Sequence, residues 1–474
     1  MNLLKPIVKV VQDLLKEHSI DEILDIRITN SDGYDYQINN LVKYQKHPNI
    51  EKIKNDITIS LNDSGLIEKF DFANNLFINL KINAESILEN LINVKEYIKT
   101  DNKESLIIDY GGPNIGKPLH VGHLRPLNIG RSICNTNKII GNRIYSDIHL
   151  GDWGMPVAQI ITYCELENIN FESLTIGMLE DIYPNASTKY RSDEKFKEKA
   201  QETNKKLSSG DRITILNWEK ISKITINALK QTLSVLDHDF DYWWGESSVN
   251  NLIPDMLEKL KKDKKIEKDD GAFISTQPTD PRILITKSDG SYLYITTDLA
   301  TVLLRNQEIV HEKVLYVTDN RQKLHFEQLF NSLEFFNFPS KQYSHIGFGT
   351  INDSKGNPLK TRDGGNVKLV DLYEQTFNYI RDINSELSKN DIHCLTNTVL
   401  TYSDLITNRK TDYKFDLEKF TNVAGKTGIY IQYAQVRANK LISTLNVGEQ
   451  SISETSSKLD SLDRKLIIAL ANIE

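Results

Sequence analysis

Apolar side chains recur at Leu4, Ile7, Val8, Val11, Leu14 and Leu15, with lysine and aspartate between them. That 3.6-residue period predicts an amphipathic opening helix. The run Phe77-Ile78-Asn79-Leu80-Lys81-Ile82 alternates instead with the period of two of a half-buried strand. A charged stretch at 99–105 reads as a linker. The pattern then changes. Leu106-Ile107-Ile108-Asp109-Tyr110 is a short apolar run ending in Gly111-Gly112-Pro113, residues 143–149 repeat it before Gly151-Asp152-Trp153-Gly154, and Val314-Leu315-Tyr316-Val317 repeats it again before a helix from about Gln322. Buried strands alternating with helices predict a parallel sheet covered on both faces. Residues from about 170 to 290 read as an insertion, helical and charged, then a hairpin of 282–286 and 291–294 around Ser288-Asp289-Gly290. After about 366 the pattern is helical to the end. It closes on an amphipathic face of Leu459, Leu462, Leu466, Ile467, Leu470 and Ile473 that has no following partner, so the helical region is expected to be cut short.

Composition adds limits. The 474 residues are 39% hydrophobic and 26% charged, ordinary for soluble domains. A net charge of -7 excludes a general polyanion binder but leaves room for a local basic face. The lysines of 259–268 fit either a solvated helix face or an RNA contact. Cys134, Cys164 and Cys394 form no CxxC pair, so neither a protein-bound zinc nor a disulfide framework is expected; they read as buried or half-buried thiols in a reducing compartment. The opening helix is unlike a signal peptide and no apolar run is long enough for a bilayer, so a cytoplasmic protein without a membrane partner is expected.

The candidate chemistry lies in Pro113-Asn114-Ile115-Gly116-Lys117-Pro118-Leu119-His120-Val121-Gly122-His123. Two histidines three apart at a helix start can both face one ligand, and a helix N-terminus offers backbone N–H groups to phosphate. Gly122 would let an adenine ring approach the backbone, and the imidazoles can donate to phosphate oxygens as charge builds. The alternative is a pair of structural histidines in a Gly/Pro loop.

The longer run Gly112 to Arg125 resembles the nucleotide signature of arginyl-tRNA synthetases, a family of class I aminoacyl-tRNA synthetases. Ile148-His149-Leu150-Gly151-Asp152-Trp153-Gly154, Tyr292-Leu293-Tyr294-Ile295-Thr296-Thr297-Asp298-Leu299-Ala300, Val317-Thr318-Asp319-Asn320-Arg321-Gln322 and Ile429-Tyr430-Ile431-Gln432-Tyr433-Ala434 resemble further family segments in the same order. The resemblance implies an α/β fold: a Rossmann-type parallel-sheet catalytic domain at 104–370, an N-terminal α+β tRNA-binding domain at 1–103, and an incomplete all-α anticodon-binding region at 371–474. It implies catalytic roles for Lys117, His120, Gly122, His123 and Lys360, and an ATP site of Pro113, Asn114, His120, His123, Lys360, Thr361 and Arg362. The family's KMSKS loop is degenerate here, at 357–366: Thr361 stands at the second lysine position, and either Lys117, just before the histidine motif, or Lys360 is expected to supply the missing charge. Asn114, His123, Glu246, Tyr294, Asp298 and Gln322 match residues that hold arginine. Seen alone, Asp298 also fits a first-turn helix acid capped by Thr297, and Glu246 a surface acid beside Trp243 and Trp244.

The implied reaction joins arginine to ATP, with Mg2+ on the phosphates and no resident protein metal, and transfers the arginyl group to the 3′ end of arginine tRNA. A monomer is expected. Two rivals stand beside it: a paralogue that passes arginyl-adenylate to another acceptor, and a non-catalytic RNA-binding protein.

Overall fold

The computed structural model describes residues 4–471, except 30, 74–75, 93–98, 100–101, 280, 289, 340, 353–366, 446–451 and 457–458. It divides into two compact units, one of 1–102 with 139–141 and 442–474, the other of 103–138 and 142–441.

In the first unit, the helix Lys5–Glu17 turns Leu4, Ile7, Val11 and Leu15 into the core, as its period predicts. Strands β1 (Ile26–Ile28), β2 (Tyr36–Ile38), β3 (Ile67–Phe72) and β4 (Ile78–Ile82) form an antiparallel sheet in the order β1-β2-β4-β3. The helix Ile50–Asp63 adds Ile53, Ile57 and Leu61 to the same core. The last helix, Ser461–Ala471, also belongs to this unit. Its Ile468 is buried in that core, and Arg464 forks onto Asp35, Nε to Oδ1 at 2.9 Å and Nη2 to Oδ2 at 2.6 Å. The expected grouping of 371–474 as one region therefore differs from the observed packing. The predicted face is only partly inward: Ile467 packs against the core, but Leu462 and Leu466 are exposed. Periodicity reports that a helix has a face, but an arginine–carboxylate fork selects which face docks.

In the second unit, β5 (Ser105–Tyr110), β6 (Arg143–Asp147), β10 (Lys313–Val317) and β11 (Gln342–His345) form a parallel sheet in the order β11-β10-β5-β6. β5 is apolar at Leu106, Ile107 and Ile108 because both of its faces are covered. Leu106, Ile108 and Tyr110 pack with Leu124 and Leu127 of the helix Leu124–Ile139, while Ile107 packs with Leu299, Val302 and Leu329 on the other side. Between β6 and β10 come the helices Met155–Leu166, Ile176–Ser192, Glu194–Ser208 and Arg212–Val235 and an antiparallel sheet of β7 (Ile266–Asp269), β8 (Ala272–Ser275) and β9 (Leu284–Thr286). The expected hairpin is reduced to β9 and one bridge, Thr286 to Tyr292, because Tyr294 already opens the helix Tyr294–Glu308.

After the sheet come the helices Leu369–Ile383, Lys389–Leu405 and Gly428–Thr444. This stretch is not wholly helical: β13 (Tyr413–Lys414) pairs in parallel with β12 (Ile351–Asn352). Cys134 and Cys164 are buried, but Cys394 is exposed, contrary to expectation. Among the described residues, no helix is long and apolar enough to cross a membrane.

The C-terminal ends of β5 and β6 carry Asp109 and Asp147, both buried. Between them lies Arg305 of the helix Tyr294–Glu308, 1% exposed, whose Nη2 donates at 2.6 Å to Oδ2 of each. Burial pushes the Asp109 carboxyl up against the pull of Arg305; at Asp147 burial is outweighed by His149 and Arg305, which hold it low. Removing one partner of such a buried set leaves uncompensated charge, at a cost of about 3–5 kcal/mol. Arg305→Met is therefore expected to lower stability by about that much, read by denaturant unfolding, whereas the exposed Arg282→Met should change it by less than about 1 kcal/mol.

Candidate active site

The signature run leaves β5, crosses the ends of the parallel strands and enters the helix Leu124–Ile139 through a short turn at Val121–His123. Its first part lies extended against the segment after β6. Ile115 N–H donates to Gly151 O at 3.1 Å, and Gly151 N–H to Pro113 O at 3.0 Å. A side chain at Gly151 would stand 2.0 Å from Asn114 Oδ1, so glycine there is what lets Asn114 lie across the strand ends.

The turn itself uses its own backbone donors. Val121 N–H donates to Val367 O at 2.9 Å, Gly122 N–H to His120 Nδ1 at 3.1 Å, and His123 N–H to His120 O at 2.8 Å. The anticipated anion cradle of free N–H groups is therefore closed at these three residues. The two imidazoles lie with ring centres 4.0 Å apart. Because His120 Nδ1 accepts, a neutral His120 carries its proton on Nε2. Burial, helped by Lys117, pushes His120 down to about 4; burial, then His120 itself, pushes His123 down to about 3. Gly122 also has a task other than the expected one: a Cβ there would meet the His120 ring at 2.8 Å, so the glycine seats the histidine. The Lys117 ammonium lies 4.7 Å over the ring of Tyr183, a cation–π contact that anchors it at the run's edge.

The segment after β6 pairs on its other side with 242–247. Ile148 N–H donates to Tyr242 O, Leu150 N–H to Trp244 O, and Glu246 N–H to Leu150 O at 3.0 Å. Asp152 closes this ladder by accepting from Ser247 N–H at 2.8 Å and Ser247 Oγ at 2.5 Å. Glu246 is thereby drawn into the same end of the sheet, not left as a surface acid. Burial pushes its carboxyl up to about 7; His149 opposes this, while Asp152 and Asp298 add to it.

Asp298 stands in the second turn of its helix. Leu293 is the N-cap and the Thr297 hydroxyl donates to Tyr294 O, so the capping explanation for Asp298 does not hold. Its Oδ2 is 2.5 Å from His325 Nε2. Tyr294 is 71% exposed, with a phenol raised by burial and by the charges of Glu246, Tyr183 and Asp298. Gln322 is exposed at the start of the helix Lys323–Phe335, one turn before His325. Lys360, Thr361 and Arg362 lie outside the described residues, as does the rest of the expected loop at 357–366. Its flanks are described: Asn352 pairs in β12, and Leu369 N–H donates to Leu119 O at 3.0 Å, so the chain after the loop runs beside the histidine turn.

Sequence reasoning missed four residues. His325 lies three positions after Gln322 and Lys368 forms a bridge with His120; either spacing could have raised them. His149 and Arg305 had no such signal. His149 lies 3.7 Å from Asp147; burial disfavours its charge, but Asp147 and Asp109 outweigh that and raise it to about 9. Asp109, Asp147 and His149 have metal-ligand spacing, yet Arg305 already occupies the space between the two carboxylates. The set is a buried charge network and does not fit a metal ion. At pH 7, nitrogen-15 spectra of histidine-labelled protein should show His120 neutral with its proton on Nε2; an imidazolium pattern would contradict the turn geometry.

Two family models match the chain: "Arginyl tRNA synthetase N terminal domain" over residues 1–82 and "tRNA synthetases class I (R), catalytic domain" over 86–417. The arginine–tRNA ligase of Francisella tularensis is 32% identical over 461 residues, covering 92% of this chain and 79% of the relative. That of Alkaliphilus oremlandii is 32% identical over 513 residues, covering 99% and 86%. Among solved structures, the arginyl-tRNA synthetase of Plasmodium falciparum has the same fold, with a TM-score of 0.80 at 24% identity, covering 99% of this chain and 86% of that one. The Thermus thermophilus enzyme gives 0.78 at 17% identity, covering 98% and 85%. With a catalytic-domain match over most of its length and relatives this similar, the chain belongs to the arginyl-tRNA synthetase family of class I aminoacyl-tRNA synthetases.

Proposed function

We propose that this arginine–tRNA ligase forms its adenylate across the C-terminal ends of β5, β6 and β10, with the residue roles as follows. Glu246 and Asp298 receive the guanidinium, Tyr294 and Gln322 flank it, and Asn114 and His123 hold the amino and carboxylate end. The arginine carboxylate then attacks the α-phosphorus of ATP, which lies over Pro113 and Asn114. His120 and His123, neutral donors at working pH, stabilise the charge that builds as pyrophosphate leaves. Lys117 and the loop bearing Lys360, Thr361 and Arg362 offset the phosphate charge. Mg2+ arrives with ATP and neutralises phosphate oxygens. The 2′-hydroxyl of the terminal adenosine of arginine tRNA then attacks the carbonyl carbon of arginyl-adenylate, the mixed-anhydride bond breaks, and AMP leaves as the arginyl ester forms. The enzyme acts in the cytoplasm as a monomer.

The observation that carries this reading is the meeting of Glu246 and Asp298. They come from different elements, 52 positions apart in sequence, yet the Asp298 charge is among those that push the Glu246 carboxyl up, and both act on the Tyr294 phenol. Two carboxylates beside a phenol suit a planar cation, whereas an ammonium cannot fill two fork positions.

Arginine-dependent ATP–pyrophosphate exchange in the presence of arginine tRNA tests the assignment. Asp298→Ala should raise the KM for arginine about 10- to 100-fold, the loss of one charge-assisted hydrogen bond, with the KM for ATP little changed; an unaltered arginine KM would remove Asp298 from the pocket. The pH dependence has a definite sign. Glu246 titrates near 7 in the free enzyme and its ionised form binds the cation, so the arginine KM should fall as the pH rises from 6 to 8. In Glu246→Gln that slope should vanish.

A further inference from the structure

The assignment of Asp298 to the arginine pocket leaves one contact unexplained. His325 opens the helix Lys323–Phe335, and its Nε2 lies 2.5 Å from Asp298 Oδ2. Neither side chain is sealed from solvent: His325 is 30% exposed and Asp298 23%. A carboxylate facing an arginine by a full fork uses both oxygens in one plane. With one acceptor position of Oδ2 held by an imidazole N–H from a neighbouring helix, Asp298 keeps Oδ1 and the other lone pair of Oδ2 for substrate. Its orientation is also set by an element other than its own. The ring of His325 packs edge-on against Phe326, at 5.3 Å between centres, and Phe326 packs in turn on Tyr316 of β10. The donor is therefore backed by the sheet.

We propose that His325 is a positioning residue for arginine recognition: by holding Oδ2 of Asp298 from a neighbouring helix, it fixes the orientation in which the carboxylate's remaining acceptor positions face the guanidinium. This rests on the reading of Asp298 as a pocket acid. The work is divided between the two carboxylates. Asp298 is rigid and supplies directed acceptors. Glu246, whose carboxylate accepts from the Trp153 backbone N–H, supplies the second acid from another element.

The test is steady-state aminoacylation of arginine tRNA by the full chain and its variants. In His325→Ala, the KM for arginine should rise about tenfold, the weight of one hydrogen bond to a charged group, while kcat and the KM for ATP change less than about twofold. In His325→Gln the side-chain amide nitrogen reaches the place of Nε2, and the arginine KM should return to within about threefold of the native value. In His325→Asn the amide stands at the place of Nδ1, too short to reach, and the KM should stay high. In an Asp298→Asn background, His325→Ala should add little further loss, because the two act as one unit. An unchanged or lower arginine KM in His325→Ala overturns the proposal; a lower one would mean that the histidine competes with substrate. Gln behaving no better than Asn also overturns it, and that comparison stands even if the alanine variant does not fold. The two readings fail differently. If Asp298→Asn itself binds arginine normally, the pocket assignment falls. If Asp298→Asn is impaired and His325→Ala is not, only the positioning role falls.

Discussion

Arg305 is the point on which the site converges. Its guanidinium donates to Asp109 at the end of β5 and to Asp147 at the end of β6 from within the helix Tyr294–Glu308. Each of these three segments carries site residues onward. β5 leads into the run of Asn114, Lys117, His120 and His123. β6 leads into the ladder that places Glu246. The helix itself bears Tyr294 and Asp298. Buried charges cost much to desolvate and tolerate little displacement once paired, so this contact fixes the relative position of the segments more narrowly than apolar packing would.

The same economy of positions recurs in the histidine turn. A helix start with free N–H groups is a general anion site, but here Val121, Gly122 and His123 direct theirs to Val367 O, the His120 ring and His120 O. The turn is thereby closed on itself, and its geometry leaves the His120 Nε2 proton as the outward-facing donor. A side-chain donor can be aimed at an atom that carries charge only part of the time, which is what stabilising a transition state requires. Burial keeps both imidazoles neutral near pH 7, which suits the proposed role of donors and not of fixed cations.

Much of this was legible in the linear pattern. The apolar runs of β5, β6 and β10 identified a parallel sheet because both faces of such strands are covered, and the opening helix turns inward the side chains its period predicts. The Asn114 to His123 run carried its chemistry in adjacent residues. Less legible was the function of residues whose meaning depends on a distant partner. Asp298 has the look of a helix-start acid until the helix is seen to begin four residues earlier, and Glu246 sits among tryptophans in a way that suits a surface. The final helix shows the same limit: its spacing marks an amphipathic face, yet with Arg464 meeting Asp35 only part of that face turns inward.

Local order, then, was written along the chain: which stretches become strand or helix, where the nucleotide signature lies, and which family the chain resembles. Those properties arise from neighbours within a turn or a strand pleat, and residue order records them directly. The partnerships across the fold were not: Arg305 between two aspartates, His325 against Asp298, Lys368 beside His120, the last helix against the first sheet. They join residues 27 to 429 positions apart, and long-range pairing of charged groups leaves no periodicity to read. It is selected by which carboxylates folding buries together and which donors then lie close enough to satisfy them.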